Sequence, residues 1–332
     1  MENRAQNTSA AMSIDVIIPV YNGEKYILQA IRSVEAQTYP ANRIIVVDDG
    51  STDGTREIIM QLEQSNPRIR YIYKENGGLS SARNEGIGNV DSEFVAFLDA
   101  DDEWFESKLE KQMDVFQNSK LEKLGLVYCQ YVHIDEKSEL ITNLTIVSPR
   151  KDMRGLVFEK LLPGNLISSS GSGVLVRKEC FEKVGNFDEA LKAAEDWDMW
   201  LRIAREFEFD FVSEDLVKIR RHGENMQKNK EHMFLNLLTF FDKWGNTLEK
   251  KYSCPVIWAD TIRSFIFEQF PKTSFYTLAS KNLTTKACKR IFALTGGSLK
   301  LYLFSAALIG LPLGIVKAMK LFVVRIIGIF KA

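Results

Sequence analysis

The chain has 332 residues, 45% of them hydrophobic and 26% charged, proportions that suit a folded globular protein and exclude a low-complexity or disordered chain. The net charge of −1 hides an uneven spread: ten of the 43 basic residues and none of the 44 acidic ones lie in 269–332, which leaves the first 268 residues at a net −11. An acidic body with a basic tail is two physical objects, and four cysteines without CxxC spacing argue against a zinc site or a disulfide framework.

Residues 1–12 lack an apolar run and read as a short disordered tail, not a secretory signal. From there, apolar runs rich in β-branched residues alternate with helical patterns. IDVIIPV (14–20) is a strand covered on both faces, EKYILQAIRSVEAQ (24–37) a helix, and RIIVVDD (43–49) a second buried strand. A second helix spans 53–65 with Asp53 as its N-cap. RIRYIYK (68–74) alternates like a strand, GGLSSARNEGIGN (77–89) is a loop entering a helix, and FVAFLDA (94–100) is another buried strand. This order predicts an α/β fold with a mostly parallel sheet flanked by helices. A helix (106–119) and a strand (124–135) follow, then a strand, short helix and turn over 171–191. EDWDMWLRIAREF (195–207) opens a helix with acids in its first turn, where the helix dipole favours them.

In open parallel sheets the ligand lies beyond the carboxyl ends of the strands. Strand one ends in Pro19, Tyr21 and Asn22, strand two in Asp48 and Asp49, and strand four in Asp99, Asp101 and Asp102. Neither acidic stretch is an EF-hand loop: the twelfth position counted from Asp49 is Met60, and the sixth from Asp99 is Trp104. Like charges crowded at a strand end require a counter-charge. Carboxylates spaced as Asp99 and Asp101 can hold Mn2+ or Mg2+ while leaving positions for phosphate oxygens.

The segments VIIPVYNGEKYI, IIVVDDGSTDGT, NGGLSSARNEGI, FVAFLDADDEW and AAEDWDMWL, in this order, resemble the successive motifs of the inverting family-2 glycosyltransferases, which have the GT-A fold. The resemblance covers roughly residues 13–222. It implies that Pro19 and Tyr21 line a nucleotide base pocket, that Glu24 lies near the ribose, and that Asp49 accepts a hydrogen bond from the base. It further implies that Arg83 approaches the donor diphosphate, that Asp99 touches ribose or metal, and that Asp101 is the main metal ligand. His222 in RRHGENM faces the diphosphate or metal on the same grounds, with a solvated loop histidine as the alternative. Asp196 becomes the catalytic base, taking the proton of an acceptor hydroxyl. Trp197 and Trp200 either pack their helix or flank an acceptor groove. For Arg83 the competing reading is an ion pair with Glu85 or Asp91, and for Glu195 and Asp196 simple helix-terminal charge.

The expected organisation is a disordered tail (1–12), a catalytic domain (13–225), a helical extension (226–298) and a basic amphipathic segment (299–332). In the last, LYLFSAALIGLPLGIV is too short for a straight span of the ~30 Å hydrocarbon core. On a helical wheel Lys317, Lys320, Arg325 and Lys331 share one arc, opposite an apolar face, the pattern of a helix lying in a membrane interface, with a helix docked on the protein's own core or a dimer partner, or a re-entrant hairpin over 299–332, as the alternatives. The expected partners are a nucleotide sugar, a glycan or glycolipid acceptor and the inner membrane face, with no nucleic acid. Two other readings are a sugar-nucleotide nucleotidyltransferase, disfavoured because PVYNGEKY replaces a glycine-rich basic loop after strand one, and a non-catalytic nucleotide-sugar-binding module.

Overall fold

A computed structural model describes residues 12–142, 153–162, 164–167 and 170–223, together with 236, 237, 239, 240, 243 and 244. The chain forms two compact units, one from 1–161, 165–190 and 195–223, the other from 162–164, 191–194 and 224–332. The segment 299–332 and most of 226–298 lie outside the described residues. In the second unit the described positions between 236 and 244 are helical, and the rings of Phe240 and Trp244 lie 6.4 Å apart, one turn from each other.

The first unit is built on an eight-stranded sheet of order β3-β2-β1-β4-β7-β6-β8-β5. Strands β1 (Ile14–Val20), β2 (Arg43–Asp48), β3 (Ile69–Tyr73) and β4 (Phe94–Phe97) pair in parallel. All seven residues of β1 are buried, as its unalternating apolar run requires of a strand covered on both faces. Helix α1 (Ile27–Glu35) buries Ile27, Ala30, Ile31 and Val34, the i, i+3, i+4, i+7 stripe of a helix lying on a sheet. Helices α2 (Thr55–Ser65) and α3 (Leu79–Gly88) follow β2 and β3. Asp53 is not the cap of α2. Gly54 holds that position without a side-chain cap bond, and the Asp53 carboxylate instead accepts from the Thr55 amide at 3.1 Å. The acidic side chain bonds two residues ahead, as Asp does in turns, so the helix starts later than the sequence implied.

The second half departs from simple alternation. The two-residue β5 (Glu103–Trp104) follows the acidic turn after β4 and pairs antiparallel with β8 (Glu208–Arg220). Helix α4 (Lys108–Asn118) leads to β6 (Leu124–Ile134), which runs parallel to β8 with register shifts near Cys129–Tyr131. Helix α5 (Phe158–Leu161) and a 3-10 turn (Ser170–Gly173) precede β7 (Val174–Arg177), which is antiparallel to both β4 and β6. Helices α6 (Lys178–Val184) and α7 (Glu195–Ala204) complete the unit. Because β7 is reversed, the 3-10 turn before it lies beside the carboxyl end of β4. The hairpin-like return through β5 draws the acidic turn toward the end of β8.

One lysine is buried in the core. Lys108 is fully buried, donates to Gln112 Oε1 at 2.8 Å, and lies 3.9 Å from the centre of the Trp104 ring. Burial pulls its ammonium down to about 8. A base depressed on folding contributes stability that is present above its unfolded value near 10.5 and is lost as pH falls through about 8. At neutral pH the full cost applies, about 3 kcal/mol, of which the Trp104 face offsets about 1–2 kcal/mol. Lys108→Met is therefore expected to raise the thermal midpoint by several degrees at pH 7, with the advantage shrinking above pH 8. Thermal melts from pH 6 to 10 check this; a Met variant that melts lower at pH 7 refutes it.

Candidate active site

Strand β1 stands between β2 and β4, the point where strand order reverses, and in such sheets ligands bind beyond the carboxyl edge at this point. Pro19 is buried in β1, in register with Val47. The pairing of β1 with β4 ends at Ile17–Phe97, with Leu98 still donating to Ile17 O. Pro19 comes after that point on the β4 side, so its missing N–H leaves no ladder bond unmade. Tyr21, just beyond the strand, is 55% exposed.

The loops after β1 and β2 are zipped together by side chains. Asn22 N donates to Ser51 Oγ (2.9 Å), Thr52 N to Asn22 Oδ1 (2.8 Å), Glu24 N to Asp53 Oδ2 (3.1 Å) and Gly54 N to Glu24 Oε2 (2.8 Å). Glu24 is thus a strut between loops as well as a solvent-facing carboxylate. Asp49 is buried and organises the approach to α3: it accepts from Lys74 Nζ (2.7 Å), Gly77 N (2.9 Å) and Gly78 N (2.7 Å). Gly78 has φ +90, a conformation that leaves the position to glycine.

Arg83 on α3 is 1% exposed and paired with neither Glu85 nor Asp91. Its Nη2 donates to Asp99 Oδ1 at 2.8 Å and its Nη1 to Glu195 Oε1 at 2.9 Å. The guanidinium carbon lies 5.3 Å from the Phe187 ring centre, while Nε has no hydrogen-bond partner. Burial first, then the charge of Asp196, pushes the Glu195 carboxyl up to about 7, with Arg83 pulling against the rise. Asp196 is partly exposed beside Glu195 and accepts from Asn165 Nδ2 at 3.0 Å. Trp197 and Trp200 are buried, and Trp197 Nε1 donates to Leu161 O at 2.8 Å. Both pack the helix.

Beyond β4 the acids are divided among separate partners. Asp101 Oδ2 and His222 Nε2 share a hydrogen bond at 2.8 Å. Asp102 is buried, accepting from Ser172 Oγ at 2.6 Å and from Arg220 N at 3.0 Å. Ser172 Oγ also accepts from Asp99 N at 3.1 Å. Arg220 is 1% exposed and pairs with Glu103, which Lys218 also faces at 3.5 Å. The counter-charge that the sequence assigned to a metal is therefore supplied in part by arginines. It is incomplete: burial and then Asp99 push the Asp101 carboxyl up, with His222 lowering it, and Asp102 is pushed well up by burial and then by Asp101 and Asp99.

The structure thus joins Arg83, Asp99 and the Glu195–Asp196 pair, and separately Asp101 with His222. Asp99 faces Arg83 in this arrangement. Among the described residues no three His, Cys, Asp or Glu side chains are arranged to hold a metal ion. Sequence reasoning missed Arg220, Ser172 and Gly171. The RR before His222 was the available signal for the first; nothing local marked the other two.

The profile described as glycosyl transferase family 2 matches residues 15–185, and the chain belongs to that family and is a glycosyltransferase. It is similar to an uncharacterised glycosyltransferase of Rickettsia typhi, 38% identical over 247 residues that cover 74% of each chain. It is also similar to the putative teichuronic acid biosynthesis glycosyltransferase TuaG of Bacillus subtilis, 45% identical over 102 residues, 30% of this chain and 40% of TuaG. In fold it resembles residues 1–349 of TarS from S. aureus, crystallised with UDP-GlcNAc, with TM-score 0.63 and 20% identity over 90% of this chain and 84% of that one.

Proposed function

We propose that the chain transfers a sugar from a nucleoside-diphosphate sugar to an acceptor hydroxyl, in a single displacement that inverts the anomeric carbon and depends on a divalent cation. The observation that carries this reading is the meeting of Arg83, Asp99 and the Glu195–Asp196 pair at the carboxyl edge. Asp196 takes the proton of the acceptor hydroxyl as the new bond forms, because a neutral hydroxyl is a poor nucleophile. Arg83 places a fixed positive charge where the departing diphosphate gains negative charge. Tyr21, Glu24 and Asp49 shape the nucleotide end. The UDP and UDP-GlcNAc complexes of TarS favour a uridine nucleotide.

The Asp101–His222 pair fits a cation as two of its ligands, one carboxylate oxygen and one imidazole nitrogen. When bound there, Mn2+ or Mg2+ supplies further positive charge against the leaving diphosphate. The under-neutralised Asp101 and Asp102 support that reading. Release of nucleotide from a panel of nucleotide sugars, with Mn2+ or Mg2+ and then with chelator, is the test. Turnover of one donor that stops with chelator is expected; no turnover with any donor refutes the nucleotide-sugar donor reading, and chelator-resistant turnover refutes the cation.

TuaG's name favours an acceptor on a surface glycan, and the basic segment 299–332 favours attachment to the inner face of a membrane. No helix among the described residues is long and apolar enough to cross one. The full chain is expected to sediment with membranes and a chain ending at 298 to stay in solution; identical fractionation refutes the anchor.

A further inference from the structure

Arg220 has no part in the chemistry proposed above, yet it is tied into the acidic turn from several sides. It is the last residue of β8 and is 1% exposed. Its Nε donates to the main-chain oxygen of Asp101 at 2.8 Å, and its own amide to Asp102 Oδ1 at 3.0 Å. Nη1 donates to Asp135 O at 2.8 Å, and Nη2 to Ser138 Oγ at 3.1 Å and to Glu103. Its guanidinium carbon lies 4.7 Å from the centre of the Tyr26 ring, which also faces His222 at 5.2 Å between ring centres. One planar side chain thus ties the acidic turn, the turn after β6 and the residue before α1 to the strand end that carries His222.

We propose that Arg220 is a positioning residue: it holds Asp101 and His222 at bonding distance and so sets the affinity of that pair for a divalent cation. The inference rests on the cation reading above. The guanidinium fork spans the Asp101 carbonyl and the Asp135–Ser138 turn at once, which a lysine ammonium, a point charge on a flexible stem, cannot do. Partners that orient a metal ligand change affinity by 10- to 100-fold when lost.

The test uses the full chain with isotope-labelled histidine and Mn2+ alone, reading the paramagnetic broadening of the His222 imidazole signal. In the wild-type chain His222 is expected to broaden well before His133. Arg220→Lys should need at least tenfold more Mn2+ for the same loss of signal. Tyr26→Leu removes the ring between Arg220 and His222; it should need a few-fold more, with a thermal midpoint close to wild type, and it carries the test if Arg220→Lys does not fold. Equal Mn2+ sensitivity in the wild type and in the folded variants overturns the role of Arg220. A wild-type His222 signal that Mn2+ leaves untouched overturns the cation reading, and this role with it.

Discussion

Replacing Asp196 with Asn is expected to lower turnover by about 10²- to 10⁴-fold while UDP binding stays within a few-fold of wild type. The change keeps size and one acceptor oxygen, so one of the two bonds that Asp196 accepts, from Asn165 Nδ2 (3.0 Å) to Oδ2 and from the Trp197 amide (2.7 Å) to Oδ1, survives and the other is lost. What is lost is the ability to take a proton. The competing explanation is that Asp196 merely complements the positive end of α7. That role is worth about 0.3–1 kcal/mol and shows in thermal stability, not in the chemical step. Single-turnover kinetics beside calorimetric UDP titration separate the two, and normal turnover in the variant excludes Asp196 as the base.

Arg83→Met is expected to cost about 3–5 kcal/mol of stability and nearly all turnover. A buried guanidinium shared by two carboxylates leaves both uncompensated when removed. The deficit has a predictable pH dependence. Glu195 is raised on folding from 4.5 to about 7. An acid raised on folding contributes stability that is present below its unfolded value and lost as pH rises through the folded one. Below about pH 7 the Glu195 carboxyl takes up a proton, the Arg83–Glu195 attraction fades, and the gap between wild type and Arg83→Met should narrow. Denaturant melts at pH 5.5 and 8 measure this; a gap equal or larger at the lower pH contradicts it. A milder variant probes position without removing charge. A Cβ on Gly171 would lie 2.8 Å from Arg83 Nη2 and 3.3 Å from Cζ, so Gly171→Ala pushes the guanidinium aside. A turnover loss of about tenfold with a smaller loss of stability than Arg83→Met is expected.

The first half of the fold was legible because its signals are local. The run 14–20 is apolar at every position after Asp15, and β1 takes those seven residues. The acids after β2 and β4 pointed to the carboxyl edge, where Arg83 meets Asp99 and Glu195. The second half was less legible because its placement depends on partners distant in sequence. Two residues, Glu103 and Trp104, are too few for any pattern, yet their pairing with β8 brings Asp101 to His222. The burial of Arg83 was hidden by the weak amphipathicity of LSSARNEGIG, and its true partners lie 16 and 112 positions away. The Trp197 and Trp200 alternatives resolved toward packing because helix α7 is buried along most of its length, with Glu195 turned to Arg83 while Asp198 pairs with Arg202 on the same helix.

The reversed strand β7 has a bearing on engineering. It sets Ser172 against Asp99 and Asp102, and Gly171 against Arg83, so the shape of the acidic turn is moulded by a piece of chain some seventy residues downstream. Chimeras that exchange the stretch between β6 and α7 among relatives, in order to alter sugar preference, should succeed only when both small residues travel intact with the graft.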